Sequence, residues 1–249
     1  MFSTMSFEPS WGGVLQPDVA VACLVTTVKN GNLALHVGDD PSAVLQRRSA
    51  LQHQLGVDIV WLDQVHGTVC VDADCLLPGH AEAPVADAAC TTQRRALGIL
   101  TADCLPVLFY AANGRAVGAA HAGWRGLAAG VLENCLTMVA ARGGVKPAEV
   151  HAYLGPAIGP ASFEVGAEVR AAFVDACPAD AAAFIPHDAP ADKKWLADLY
   201  GLAQRRLRRA GLLSIDGAGF DTYRDQRFFS YRREAQTGRM ATLVWLRQV

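Results

Sequence analysis

The sequence lacks a marked excess of either charge. Among its 249 residues, 22 Lys and Arg stand against 24 Asp and Glu, and the formal net charge is −2. Nucleic acids and anionic membranes attract proteins through basic patches, and the interspersed charges here give no sign of one. We therefore expect neither a nucleic-acid nor a membrane partner, and a small molecule is the expected substrate. The sequence leaves the oligomeric state open.

A long hydrophobic run is absent as well. The most apolar stretch, residues 96–112, contains Asp103 and Pro106. It is shorter than the roughly 20 apolar residues that a membrane-spanning helix needs. Residues 1–13 lack the basic region followed by an apolar region that marks a signal or transit peptide. These absences predict a cytoplasmic protein.

Paired cysteine motifs are missing too. The seven cysteines are odd in number, and no two of them have C-x-x-C spacing. A chain of this length does not depend on disulfides to fold, so the cysteines are expected to be reduced thiols. Most of them should be buried as small apolar side chains. Only Cys104 has neighbours that indicate chemistry.

Strands and helices alternate along the chain, and 51% of the residues are hydrophobic, enough for the core of a single domain. Strands are predicted at residues 21–28, 57–63, 68–72, 97–101, 107–111, 116–120, 150–154 and 241–247. A helix with Asp40 as N-cap is predicted from Pro41 to a stop at Gly56, and further helices at 127–143, 165–176 and 192–210. Residues 177–193, rich in Ala, Pro and Asp, are predicted to form an irregular surface segment.

Three short segments, residues 63–67, 101–106 and 120–126, each follow or end a predicted strand. Each offers one metal-ligand side chain beside a turn: His66, Cys104 and His121, respectively. Two imidazoles and one thiolate form a plausible catalytic zinc set, with water in the fourth coordination position.

Other interpretations of these residues remain open at this point. Cys104 could be a thiolate nucleophile with His121 or His66 as its base. It could also be an inert core thiol, with both histidines bonded to backbone, or a ligand in a non-catalytic metal-binding module. The remaining histidines have no such context and are interpreted as structural or surface residues: His36, His53, His80, His151 and His187.

Several strings in the chain resemble the conserved blocks of the laccase-domain (YfiH-like) family, whose members are described as polyphenol oxidases and as purine nucleoside phosphorylases. These strings are DQVHG, TADCLPVLF, AAHAGWRG, LGPAIGPASFEVG and FFSYRRE..TGRMA, and they occur in the family's order from about Val21 onward. The resemblance implies one α+β domain over residues 1–249, with a mixed β-sheet, flanking helices and a site at strand-end loops. It also implies that the FFSYRR segment partly covers this site.

The resemblance further implies that His66, Cys104 and His121 hold zinc. It implies phosphorolysis of adenosine, inosine and methylthioadenosine, together with deamination of adenosine. Water on zinc has a pKa of about 7, which makes hydroxide available at neutral pH. Copper-dependent phenol oxidation is the alternative, but one His₂Cys group does not provide the several copper centres that a laccase needs. Cu²⁺ could still bind adventitiously.

Phosphorolysis requires purine nucleoside and phosphate as substrates. The turn that follows His121 leads into a predicted helix, and its backbone N–H groups together with Arg125 are the candidate phosphate site. Arg232 and Asn32 are weaker candidates for substrate contacts. An arginine that the family usually carries before its first Asn-Leu is absent here, and Lys29 would be a geometrically poorer replacement for it. The family's Cys-Thr before the FFSYRR block is Asp221-Thr222 in this chain.

Overall fold

The fold is described from a computed structural model over residues 21–76, 82–187 and 194–247. In chain order, the strands of these residues are β1 (Val21–Val25), β2 (Ile59–Trp61), β3 (Cys70–Asp72), β4 (Ala88–Thr91), β5 (Ala96–Thr101), β6 (Leu105–Ala111), β7 (Val117–Ala122), β8 (Val150–Leu154), β9 (Glu164–Val165), β10 (Phe184–Pro186), β11 (Trp195–Ala197), β12 (Ser214–Gly217) and β13 (Met240–Leu246). The α-helices are α1 (Pro41–Leu55), α2 (Trp124–Ala129), α3 (Val131–Gly143), α4 (Ala167–Val174) and α5 (Leu199–Arg209).

The strands form two mixed sheets and one small antiparallel sheet. The smaller mixed sheet has the order β1-β13-β5-β2, and the larger has the order β12-β8-β6-β7-β4-β3. Parallel pairing occurs between β2 and β5, between β3 and β4, and between β12 and β8, whereas the other pairs are antiparallel. Strands β10, β11 and β9 make the antiparallel sheet. The predicted fold class, α+β with a mixed sheet and flanking helices, is confirmed.

The two mixed sheets pack face to face between layers of helices. Strand β6 shows this arrangement in its alternating side chains, because successive residues of a strand point to opposite faces. Leu105, Val107 and Phe109 belong to the core that contains α3 and α5. Leu108 and Tyr110 belong to the core between the two sheets. Helix α1 covers the opposite face of the smaller sheet.

The chain crosses from one mixed sheet to the other in a very short connection. Ala102, Asp103 and Cys104 join β5 of the smaller sheet to β6 of the larger one. Asp103 has a φ of 88°, a left-handed conformation that is unfavourable for a residue with a side chain. The connection therefore places Cys104 at an end shared by both sheets, where β2 and β7 also end.

Helix α1 confirms the prediction from its caps. The Asp40 side chain accepts a hydrogen bond from the backbone N–H of Ser42, and Pro41 occupies the first helical position. Gly56 ends the helix in the left-handed conformation with a φ of 63°. No helix in the described residues has the length and apolar character that crossing a bilayer requires.

The predicted elements differ most from the structure in three places. The helix predicted at 127–143 is two helices, because Gly130 interrupts it with a φ of 106°. The segment predicted to be irregular contains a 3-10 helix, Pro178–Ala183, and strand β10; residues 188–193 lie outside the described part. The helix predicted at 192–210 begins only at Leu199. Asp198 caps it, and the three residues before this cap pair with β9 and β10 as strand β11.

Gly118 in β7 allows α3 to pack closely on the strand that carries His121. A Cβ atom added at Gly118 would lie 2.5 Å from Val139 Cγ2 and 3.0 Å from Cys135 Sγ. We expect Gly118→Ala to lower the free energy of unfolding by about 1–3 kcal/mol through overpacking, as measured by urea denaturation.

The double variant Gly118→Ala/Val139→Ala tests this mechanism. Removal of the clashing methyl groups should make the double variant more stable than the sum of the two single effects predicts. Strictly additive losses would show that the Gly118–Val139 contact is not the cause.

Candidate metal centre

The fold brings His66, Cys104 and His121 together: His66 lies in the loop between β2 and β3, Cys104 directly before β6, and His121 near the end of β7. One ligand atom from each of these side chains lies within 4.8 Å of the other two. His66 Nε2 is 3.9 Å from Cys104 Sγ, and the two imidazole rings meet edge to face with centroids 4.8 Å apart. Such distances suit three ligands around one tetrahedral ion, so these side chains could hold a metal.

The hydrogen bond of His121 to Asp87 fits a metal ligand as well. His121 Nδ1 lies 2.8 Å from Asp87 Oδ1, and both side chains are buried. This bond fixes the ring and leaves Nε2 to face Cys104 and a metal. Histidines that bind metals commonly use the other ring nitrogen in this way, with a carboxylate as partner.

Asp87 also holds the segment that carries His66. Its carboxylate accepts hydrogen bonds from the backbone N–H groups of Val65 (3.2 Å), His66 (2.9 Å) and Gly67 (2.6 Å). Burial raises the pKa of Asp87, but the bonds from His121 and the Gly67 N–H outweigh it, and the net pKa lies below the usual range. One ionised carboxylate therefore positions two of the three candidate ligands.

Close backbone approach at the centre requires glycine. A Cβ atom at Gly123 would lie 2.7 Å from His66 Cδ2 and 3.2 Å from Cys104 Sγ. At Gly126 it would lie 2.7 Å from the Gly67 carbonyl oxygen. His66 itself has a φ of 60°, a strained conformation of a kind that clusters at functional sites. The glycines of the HAGWRG string thus leave room for the other two segments.

Electrostatic coupling between Cys104 and His121 shifts the pKa values of both groups. Burial raises the pKa of the Cys104 thiol, but the charge and hydrogen bond of His121, with a smaller effect of His66, lower it to about 6. Burial lowers the pKa of His121, but Cys104 and Asp87 raise it to about 9. Without metal, a thiolate–imidazolium pair is favoured between these pH values. The thiolate is also the form that binds metals.

A cavity of about 320 Å³ opens beside the three side chains. Its apolar and aromatic wall includes Leu62, Ile158, Phe163 and Tyr231, and its polar wall includes His36, Gln64, Arg232 and Arg239. Tyr231 and Arg232 belong to the FFSYRR segment, so the structure confirms that this segment partly covers the site. A cavity with an apolar lining and a few polar groups is typical of small-molecule sites.

Asp103 fastens this covering segment to the centre. Its buried carboxylate accepts hydrogen bonds from Thr222 Oγ1 (2.6 Å), Ser230 Oγ (3.0 Å) and the Arg232 N–H (2.7 Å). Because Asp103 precedes Cys104, the covering segment is anchored one residue from a candidate ligand. In the Asp221-Thr222 pair, which replaces the family's Cys-Thr, the threonine contacts the Asp103 carboxylate next to the centre. Asp221 itself accepts bonds from the Gly159 N–H and from Ser162 Oγ.

The predicted substrate contacts lie in different places. Arg232 lines the cavity. Arg125 is exposed, with its guanidinium carbon 4.5 Å from the centroid of the Trp124 ring, and it is not part of the cavity lining. Asn32 is buried outside the lining, and Lys29 is exposed, also outside it. The structure thus brings only Arg232 of these residues to the cavity.

Sequence reasoning missed four residues at this site. Asp87, Asp103 and Arg239 were not singled out, and His36, interpreted as structural or surface, lines the cavity. Asp103 and Arg239 stand inside strings that carry the family resemblance, and this was the one signal available for them. Asp87 lies outside all five strings, and only its contacts reveal it.

Asp87→Asn tests the role of the buried carboxylate. The amide keeps the size of the side chain but offers one acceptor oxygen where four donors now converge. We expect zinc affinity, measured by competition with a chromophoric chelator, to fall about 10- to 100-fold.

The matched control for this measurement is Asp58→Asn, which changes an exposed carboxylate that accepts a hydrogen bond from Gln52. The control should bind zinc as the wild type does. A folded Asp87→Asn protein with unchanged zinc affinity would contradict the positioning role of Asp87.

The pKa of Cys104 gives a second prediction, for the metal-free protein. Iodoacetamide reacts with the thiolate. The rate of Cys104 alkylation should therefore rise as the pH increases through about 6 and reach a plateau near pH 7. Zinc should protect the thiol, and Cys104→Ser should remove this phase. Alkylation of Cys104 that rises only above pH 8 would show that His121 does not stabilise the thiolate.

Known proteins resemble this chain over most of its length. Residues 16–247 match a family described as multi-copper polyphenol oxidoreductase laccase. A protein of Pseudomonas aeruginosa named purine nucleoside phosphorylase is 48% identical over 219 residues, which cover 86% of this chain and 85% of that protein. Purine nucleoside phosphorylase YfiH of Escherichia coli is 43% identical over 251 residues, with 96% and 97% covered.

Solved structures share this fold over most of the chain. A crystal structure of a Neisseria meningitidis protein has a TM-score of 0.84 and 42% sequence identity, and covers 92% of this chain and 95% of its own. The crystal structure of YlmD from Geobacillus stearothermophilus has a TM-score of 0.79 and 27% identity, with 94% of both chains covered. The family match, the relatives and the shared fold together show that this chain belongs to the laccase-domain (YfiH-like) family.

Proposed function

We propose that this protein is a zinc-dependent purine nucleoside phosphorylase that acts on adenosine, inosine and methylthioadenosine and also deaminates adenosine. The observation that carries the proposal is the meeting of His66, Cys104 and His121 beside a cavity with aromatic and cationic side chains. The relatives named purine nucleoside phosphorylase support nucleoside and phosphate as the substrates.

The donor set favours zinc. Two imidazoles and a thiolate are borderline and soft ligands, which suit Zn²⁺ and, by affinity, also copper. A structural zinc site would have four protein ligands, and these three are the only set that converges in the described part of the chain. When bound there, zinc would supply a Lewis acid with one open coordination position.

The presence of one converging ligand set weighs against oxidation of phenols in the manner of a laccase. That reaction moves electrons between several copper centres. Within residues 21–76, 82–187 and 194–247, no second group of His, Cys, Asp and Glu side chains lies close enough to hold a metal. A nucleophilic displacement at one centre therefore agrees better with this site.

In phosphorolysis, a phosphate oxygen forms a bond to C1′ of the ribose, while the bond from C1′ to the purine nitrogen breaks and the purine takes up a proton. The chain offers an apolar and aromatic wall for the purine in Ile158, Phe163 and Tyr231. Arg232 lies at the same cavity, held by its bond to the Glu164 carbonyl oxygen at 2.9 Å. We propose Arg232 as a substrate contact.

Arg125 and Asn32 remain predictions as substrate contacts. Arg125 lies over the Trp124 ring and outside the cavity lining. The Asn32 amide already donates to the Ala34 carbonyl and to Asp39, and its oxygen accepts from Ala34 and Arg239. All its polar atoms thus have partners within the protein.

One observation favours a second candidate function. The pKa of Cys104, lowered by His121 against the effect of burial, is typical of a Cys–His nucleophile pair. In a thiol hydrolase, the thiolate would attack an acyl carbon directly and no metal would be needed. The effect of a chelator therefore separates the two functions.

The test is incubation of zinc-loaded protein with adenosine, with and without inorganic phosphate, followed by chromatography. We expect adenine and ribose 1-phosphate only with phosphate. Inosine should accumulate without phosphate, and with phosphate part of it should be phosphorolysed to hypoxanthine. A chelator, or His121→Ala, should lower both activities more than about 100-fold.

His53→Ala, a change at an exposed helix position, is the matched control and should remain active. If neither product forms while metal-free Cys104 is alkylated rapidly, the phosphorylase proposal fails and the thiol hydrolase takes its place.

A further inference from the structure

Arg239 is a cation in the cavity wall that has no anionic partner among the described residues. Its Nη1 donates to the carbonyl oxygens of Thr237 (2.8 Å) and Gly238 (3.2 Å), and its guanidinium lies 5.8 Å from the centroid of the Tyr231 ring. Among the described residues, Nε and Nη2 have no hydrogen-bond acceptor, and the acidic groups nearby, Cys104 and Asp103, act on the guanidinium through their charges without an ion-pair contact. Two of its donor groups are therefore available to a ligand.

The surroundings of Arg239 make an unpaired charge costly. Burial lowers the pKa of Arg239, while the charges of Cys104 and Asp103 raise it. A partly desolvated guanidinium is normally paired, because burial of a charge costs free energy unless an opposite charge compensates it. The influence of Cys104 also indicates that a ligand on Arg239 would lie close to the candidate metal centre.

Asn32 fixes the backbone on which Arg239 stands. The Arg239 N–H donates to Asn32 Oδ1 at 2.8 Å, and its carbonyl oxygen accepts from the Leu33 N–H at 3.1 Å. The same amide group binds Ala34 and Asp39, which flank His36 in the chain. Asn32 thus holds together the two segments that bring Arg239 and His36 to the cavity.

His36 lies within the field of this cation. Burial lowers the pKa of His36 first, and the charge of Arg239 lowers it further. The imidazole is therefore neutral at neutral pH, with one ring N–H to donate. A neutral donor beside this guanidinium forms a group of hydrogen-bond donors. The nearby carboxylates are Asp63, whose charge raises the pKa of His36, and Asp103, whose oxygens already accept bonds from Thr222, Ser230 and the Arg232 N–H.

The other cavity arginine, Arg232, is exposed and lies near a carboxylate, because its charge contributes to the lowered pKa of Glu164. Arg232 donates from Nη1 to the Glu164 carbonyl oxygen, and its guanidinium carbon lies 5.6 Å from the centroid of the Phe163 ring. Arg125 lies outside the cavity lining. Arg239 is thus the cavity arginine that is half-buried, lies close to Cys104 and keeps two donor groups for an oxyanion.

We propose that Arg239, with His36 beside it, binds the inorganic phosphate used in phosphorolysis, and that Asn32 is the positioning residue for this subsite. The inference rests on the proposed function and specifies where its second substrate binds. A guanidinium presents parallel N–H groups that match two phosphate oxygens, a geometry that lysine cannot reproduce. It differs from the phosphate site that the sequence suggested at Arg125.

The experiment measures phosphate in two ways on zinc-loaded protein: its KM in adenosine phosphorolysis, and its Kd by calorimetry without nucleoside. Loss of a charged hydrogen-bonding pair should raise both values about 10- to 100-fold in Arg239→Met. The KM for adenosine should change much less. Arg239→Lys should lie between Met and wild type, and it provides a folded variant if the methionine variant is unstable.

Arg115→Met is the matched control, because Arg115 is exposed at the β6–β7 hairpin and outside the cavity lining. It should leave phosphate KM and Kd unchanged. Wild-type values in both Arg239 variants, or a loss confined to Arg125→Met, would overturn the inference.

The two readouts separate this inference from the proposed function. Adenine release that does not depend on Arg239 would contradict the phosphate subsite but agree with the phosphorylase proposal. Phosphate binding that depends on Arg239, in a protein that forms no adenine, would support the subsite and contradict the phosphorylase.

Discussion

The Asp87 carboxylate accepts four hydrogen bonds, three from the backbone of residues 65–67 and one from the His121 ring. These donors lie between 20 and 34 residues away along the chain. A buried carboxylate without partners would be strongly destabilising, so the carboxylate and its donors require one another. Because the same group fixes both candidate imidazole ligands, the metal centre that we propose depends on this interaction more than on any other.

Asp103 holds the segment that covers the cavity, as Asp87 holds the two candidate imidazole ligands. It stands in the short connection between the two mixed sheets, with a strained backbone, and it binds Thr222, Ser230 and the Arg232 N–H. The contacts made there compensate the cost of the strain. The connection between the two sheets thus fixes the position of Cys104, and the Asp103 carboxylate fixes the adjacent cavity wall.

The local features of the chain could be predicted from the sequence, because short-range rules govern them. The caps of α1 follow from Asp40, Pro41 and Gly56, and His66, Cys104 and His121 stand in distinctive strings at strand ends. Strand β11 could not be predicted in this way, because its pairing with β9 and β10 outweighs the helical pattern that continues into α5.

The supporting residues of the site escaped prediction because their roles exist only in long-range contacts. Asp103 meets Thr222 across 119 residues, and Asn32 meets Arg239 across 207 residues. Asn32 was predicted to contact substrate, whereas its described contacts join two segments of the cavity wall. Nothing in the local sequence around Asp87 distinguishes it from any other aspartate after an alanine-rich run.

The central claim, that two imidazoles and one thiolate hold a single zinc ion with one position open, is tested most directly by X-ray absorption at the zinc edge of the loaded protein. We predict one sulfur at about 2.3 Å and two imidazole nitrogens at about 2.0–2.1 Å, with a light atom from solvent as the remaining ligand. Cys104→Ser should remove the sulfur contribution. A zinc shell without sulfur in the wild type, or one with four protein ligands, would contradict the account.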